Sequence, residues 1–234
     1  MTDRPRKDFP ILFQPPMVIA LLAGSKTMTR RALYAARKLK EGEDAPANAK
    51  VMIQYPPLLR AQDVEIDTYF TLTHWHAVRP KDRLWVRESW THESASLAEA
   101  RAQFEDITTR GSGIYYLATE VAPQTLKWKP SIHIPRWASR ITITVTQTKI
   151  ERVQDISDAD CFAEGIVRVP GPLGLYGVKT SGGHAFIGQT PRDAFANLWC
   201  GVNGTRAWDA NPWVIAMSGV VVPTNIDDLY GFRG

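Results

Sequence analysis

The chain has 234 residues, 44% hydrophobic and 22% charged, which is enough for one well-packed core and suits one domain with insertions better than two complete domains. Its mean hydropathy is -0.23, and its longest apolar helix candidate, Met17 to Ala23, is far too short to span a bilayer. The net charge of +4 and pI of about 9.1 point weakly to a polyanionic partner, and two cysteines, Cys161 and Cys200, make neither a disulfide scaffold nor a zinc site.

The opening charges have no apolar stretch behind them, so no signal peptide is expected and the cytoplasm is the expected compartment. Residues 1–9 are expected to form a flexible N-terminus. Ile11 to Phe13 is a short strand candidate, and Pro15-Pro16 opens a helix that Gly24 closes. Between Gly24 and Lys40 lie Lys26, Arg30, Arg31, Arg37, Lys38 and Lys40 with no acid among them, a pattern that fits a solvated face or a phosphate-binding patch. Residues 41–50 read as a surface excursion, and Val64 to Leu72 as a strand.

Pro80-Lys81-Asp82 is a turn, and Arg83 to Glu88 leaves it as a strand with Leu84 and Val86 on one face and Trp85, Arg87 and Ser89 on the other. Residues 92–112 read as a helical insertion and Ile114 to Ala118 as a strand. Two prolines make Lys129 to Arg136 an ordered loop, and Ile141 to Thr146 alternates as a strand should. Ser157 caps a helix that Gly165 closes, 168–189 reads as a long loop, and Thr190 starts a second capped helix running to Cys200. Asn211-Pro212-Trp213 leads into a last strand through Val222, and 223–234 is expected to be a tail. Each cysteine falls on one of the amphipathic helices as a small core residue. Strands dominate without a βαβ rhythm, which predicts a mixed α+β, mainly β fold, built as an antiparallel or mixed barrel.

Four segments resemble the ASCH group of PUA-like β-barrels. Gly24-Ser-Lys26-Thr-Met-Thr29-Arg30-Arg31 fits its Gly-x-Lys-x-x-x-x-Arg signature, and Asp82 to Trp90 resembles its strand ending in Arg-Glu-x-Trp. Lys129 to Arg140 is similar to the version often carried by bacteriophages and prophages. A capped helix ending in Leu198-Trp199 and a strand opening Asn211-Pro212-Trp213 complete the set. The group's turn before the Trp85 strand is commonly Pro-Gly-Asp; here it is Pro80-Lys81-Asp82. The resemblance implies a PUA-like barrel over 10–222 with insertions near 32–75, 91–113 and 168–189.

Small bacterial ASCH enzymes hydrolyse the amide of N4-acetylcytidine with a lysine, a threonine three residues on and a distant glutamate, and the resemblance assigns these roles to Lys26, Thr29 and Glu88. A threonine hydroxyl needs a base to become a nucleophile, and a lysine serves when burial or nearby cations such as Arg30 and Arg31 lower its pKa. Residues three apart on a regular strand face opposite ways, so Lys26 and Thr29 can share a site only if the segment after Gly24 bends.

The resemblance also implies a cleft in which a base lies against aromatic rings with cations nearby. Trp90, Trp137 and His133 are the ring candidates, and Gly24, Arg30, Arg31, Arg87 and Arg136 the remaining candidate contacts to nucleobase or nucleic acid. Trp85, Trp199 and Trp213 sit on apolar faces and read as core. His74 and His76 share a face if they lie on a strand, but no third ligand lies near, so no metal and no cofactor are expected. Three functions stay open: an amidohydrolase acting on N4-acylated cytidine or a related nucleoside, a non-catalytic reader of RNA or modified DNA or a ribonuclease of this group, and a barrel that has lost its chemistry.

Overall fold

The computed structural model describes residues 5–38, 68–105 and 113–230; for 34–38, 68–72 and residue 230 it describes the backbone alone. The excursion expected at 41–50, the start of the strand expected from Val64, and Lys40 therefore lie outside the described residues, as do the side chains of Arg37 and Lys38.

The centre of the fold is a five-stranded sheet of β1 (Asp8–Leu12), β2 (Met28–Ala32), β5 (Arg83–Arg87), β8 (Thr142–Arg152) and β12 (Trp213–Val222), in the spatial order β1-β5-β8-β12-β2. β1 runs parallel to β5; every other pairing is antiparallel. The remaining strands form β3 (Tyr34–Lys38) with β4 (Thr68–Leu72), β6 (Trp90–His92) with β7 (Ile114–Tyr116), and a three-stranded sheet β11-β10-β9 from β9 (Ile166–Arg168), β10 (Tyr176–Thr180) and β11 (Gly183–Gly188). Among the described residues, four α-helices complete a mixed α+β fold in which strands predominate: α1 (Pro15–Leu22), α2 (Leu97–Glu105), α3 (Asp158–Ala163) and α4 (Pro191–Asn203).

The local reasons for these elements are visible in the chain. Ser157 accepts from the Asp160 N–H to start α3, and Thr190 and Asp193 exchange side-chain and backbone hydrogen bonds to start α4. Alternation is visible in β8, where Ile143 and Val145 are buried, whereas its partner β12 buries Val214 to Met217 without a break; both pack beside Ile11, Leu84 and Val86 of the neighbouring strands. Met17, Val18 and Leu21 of α1 and Phe195, Leu198 and Trp199 of α4 join the same core, each contributing roughly 1.5–3 kcal/mol by burial. Cys161 is buried in this core and Cys200 is half-buried on α4. A second cluster of Trp90, Ile114, Tyr116, Ile134 and Ala138 packs with Trp85, Phe104 and Trp137.

Lys81 takes φ 77°, a conformation costing a side-chain-bearing residue roughly 1–2 kcal/mol. Asp82 secures the turn by accepting from the backbone N–H groups of Lys7 and Arg79.

Four expectations need correction. Residues 168–189 are largely sheet rather than loop: the glycine at 188 serves close packing, since a Cβ there would meet the Ala194 backbone nitrogen at 2.3 Å. His74 and His76 lie on a 3-10 turn, not a strand, so the shared-face argument falls. The C-terminal stretch is packed as far as it is described: Ile226 is buried, and Asn225 donates to the carbonyls of Arg136, Trp137 and Ser139. At the other end, Asp8 lies in β1 and pairs with Arg83 and Arg136, so the chain is already tied down before residue 10. Burial acts to raise the Asp8 carboxyl pKa, but the two guanidinium groups outweigh it and hold that carboxyl below the ordinary value.

Candidate active site

A cleft of about 370 Å³ opens where β1 runs into α1, beside β2 and the second half of α4. Its polar floor is Lys26, Thr29, Arg30, Arg31 and Glu164; Phe13, Met17, Phe195, Leu198 and Trp199 supply apolar walls, and Ser89, Ser131, Gln14 and Asn203 add polar groups.

Lys26 and Thr29 share this cleft because the chain bends before β2. The Lys26 N–H donates to Ala20 of α1, the Thr27 N–H to Ala163 at the end of α3, and Thr27 accepts from Gly219 at an irregularity in β12. Lys26 thus sits in an isolated bridge opposite Glu164, while Thr29 lies inside β2 opposite Met217. Gly165 makes room for this bridge: its φ is 96°, and a Cβ there would stand 3.0 Å from the Ala20 Cβ and 3.4 Å from the Lys26 Cβ.

The Lys26 side chain is buried, with Nζ 2.5 Å from Oε2 of Glu164 and 3.0 Å from the Glu164 carbonyl. Burial lowers its pKa from the ordinary lysine value; Glu164 opposes the shift, and Arg31 and Arg30 add to it. Arg31 donates from Nη1 to the Thr29 hydroxyl at 3.0 Å and from Nη2 to the Leu12 carbonyl at 2.8 Å, with Phe13 under its guanidinium. Burial brings the Arg31 pKa down to about 10 against the pull of Glu164. The Thr29 oxygen therefore faces a cation, and its own proton remains available to a base.

Glu88 occupies a different environment. It is buried, absent from the residues lining the cleft, and gripped by Arg140 through Nε at 2.9 Å and Nη2 at 3.0 Å. Burial raises its pKa while Arg140 works to lower it. The carboxylate beside Lys26 is Glu164, which the sequence reading did not select. One local signal could have found it: a glutamate at the C-terminal cap of α3 opposes the helix dipole, so it needs tertiary cations to hold it there. Glu88→Gln is expected to lower unfolding free energy by about 1–3 kcal/mol, because the amide cannot accept both Arg140 donors; a urea titration measures it.

The other expected contacts divide. Arg31 lines the cleft, and so does Arg30, but the Arg30 side chain is spent on Glu151, Asp160 and Glu164 and has no exposed surface. Trp90 is 1% exposed inside the second cluster, so it presents no open ring face there, and Trp137 packs edge-on against it. Arg136 is committed to Asp8 and Asp227, while His133 is exposed on a short 3-10 turn next to Ser131. Arg87 lies over Trp85, and Gly24, φ 71°, follows the end of α1. The rings that do line the cleft are Phe13, Phe195 and Trp199, the last of which reads as core in sequence because it is also core.

Among the described residues no group of three or more histidines, cysteines or carboxylates is placed to hold a metal ion, and no helix is long and apolar enough to cross a membrane. No protein-family model, no curated protein and no solved structure matches this chain.

Proposed function

We propose that the chain is an ASCH-type protein of PUA-like barrel descent, and that its cleft hydrolyses the N4-acyl amide of cytidine or a related modified nucleoside. The observation that carries this is convergence. All four sequence segments that bear the resemblance send residues into the one cleft: Lys26, Thr29, Arg30 and Arg31 from the first, Ser89 from the second, Ser131 from the third, Leu198 and Trp199 from the fourth.

The chemistry follows from the floor of the cleft. Neutral Lys26, hydrogen-bonded to Glu164, takes the proton of the Thr29 hydroxyl as its oxygen bonds to the acyl carbon. Negative charge collects on the former carbonyl oxygen, near Arg31. The carbon–nitrogen bond then breaks, the Lys26 ammonium returns its proton to the cytosine amine, and an ester remains on Thr29. Water, deprotonated by Lys26, attacks that ester and releases the carboxylic acid, and the proton returns to Thr29. Glu164 stabilises the ammonium each time it forms, as a buried carboxylate does for an imidazolium in a hydrolytic triad. The leaving base meets the apolar wall of Phe13, Phe195 and Trp199, rings that line the cleft while being largely buried themselves.

Incubation with N4-acetylcytidine, followed by chromatography, tests the proposal. Wild type is expected to release cytidine and acetate, and Thr29→Ala to fall to the uncatalysed background. Release by Thr29→Ala at the wild-type rate, or none by wild type, refutes it. Because Lys26 acts deprotonated, kcat/KM is expected to rise with pH, with its acid limb displaced below the ordinary lysine range by burial.

A further inference from the structure

Resting on that amidohydrolase reading, we propose that Arg30 is a positioning residue of the cleft, sharing the Glu164 carboxylate with Lys26 and so setting how firmly that carboxylate holds the lysine's proton. One carboxylate serves two cations: Oε2 of Glu164 lies 2.5 Å from Lys26 Nζ, and Oε1 lies 3.1 Å from Arg30 Nη1. Arg30 is itself fixed from behind, with Nη2 2.6 Å from both Glu151 and Asp160, and Nε 2.9 Å from Glu151. Lys149 closes the group at 2.6 Å from Asp160 and 3.0 Å from Glu151. Burial works against the Arg30 charge, but Glu164 and Glu151 outweigh it and raise its pKa, so the guanidinium stays ionised.

Among the described residues, the charged groups tied to Lys26 come from three elements. Glu164 faces it from the turn after α3, Arg30 and Arg31 from β2, and Asp160 of α3 with Glu151 and Lys149 of β8 act at one remove through Arg30. A cation at one carboxylate oxygen weakens the hold of the other on its partner, and in a site shielded from water that effect is not screened away. Without Arg30, Glu164 belongs to Lys26 alone, and Lys26 retains its proton to higher pH. Without the Asp160 charge, Arg30 is less neutralised and Lys26 gives up its proton at lower pH. Two neutralising substitutions in one ionic cluster thus push the same lysine in opposite directions, an outcome that mere loss of scaffolding does not produce.

The test follows the pH titration of the Lys26 side-chain resonance by carbon NMR, assigned by its disappearance in Lys26→Met, in Arg30→Gln and in Asp160→Asn. The acid limb of kcat/KM is recorded beside it. Arg30→Gln is expected to move the titration up in pH and Asp160→Asn to move it down, the acid limb following both. Shifts of the same sign, or none, overturn the inference. Should Arg30→Gln fail to fold, Asp160→Asn decides alone: a downward shift supports the sharing, and an upward or absent shift refutes it. The titration needs no substrate, so opposite shifts without turnover uphold the sharing and reject the amidohydrolase reading. Turnover without opposite shifts does the reverse.

Discussion

Lys26→Met is expected to cost at least about 10³-fold in kcat/KM for N4-acetylcytidine while leaving the melting temperature unchanged or raised. The loss of rate follows from removing the base that the Thr29 hydroxyl depends on, since positioned proton transfer supplies typically 10²–10⁴-fold and a nucleophile without its base loses more. The stability follows from where the lysine sits. Its stem runs past Ala20 and Gly165 in a dry environment, Phe13 lies under the ammonium, and a methionine fills nearly the same volume. Glu164 keeps Arg30 as its counter-ion in the variant, so no buried charge is stranded. A substitution that removes activity without harming stability identifies a residue kept for chemistry. Turnover assays paired with thermal melts read both quantities, and a destabilised but active Lys26→Met contradicts the assignment.

Glu164→Gln is expected to be costly on both counts. The amide cannot stabilise the ammonium that forms during each proton transfer, and loss of the equivalent charge in a hydrolytic triad suggests an effect on the order of 10³–10⁴-fold in kcat. It also leaves Lys26 and Arg30 with one carboxylate fewer in a buried site, where breaking an ion pair typically costs about 3–5 kcal/mol. Denaturant unfolding should register that loss directly, whereas a stability unchanged within error argues that Glu164 is solvated and no partner of Lys26.

What sequence made legible, and what it hid, divides along the range of the interaction. The caps of α3 and α4 are set by residues three apart, and both stand where Ser157 and Thr190 place them, although α4 continues past Cys200 to Asn203. The strand through Ile143 and Val145 was readable from alternation, yet it runs on to Arg152 because its partner β12 is long enough to hold it. The sheet over 166–188 was unreadable because Gly188 answers to the start of α4 and Gly177 to β11 beside it, while Gly171, Gly174 and Gly183, with positive φ, are turn-like as their type suggests. Lys26, Thr29 and Arg31 were found through a local motif, and the bend that unites them is made by α1, α3 and β12. Glu164 was missed for the same reason: its partner is 138 residues away, and Glu88 stood in a more conspicuous motif.

The choice between these two carboxylates is the most direct test of the account. Cytidine release from N4-acetylcytidine should be measured for wild type, Glu164→Gln and Glu88→Gln at one temperature where all three remain folded. Glu164→Gln is expected to fall by about 10³-fold or more while Glu88→Gln stays within about tenfold of wild type. An inactive Glu88→Gln beside an active Glu164→Gln contradicts the role given to Glu164.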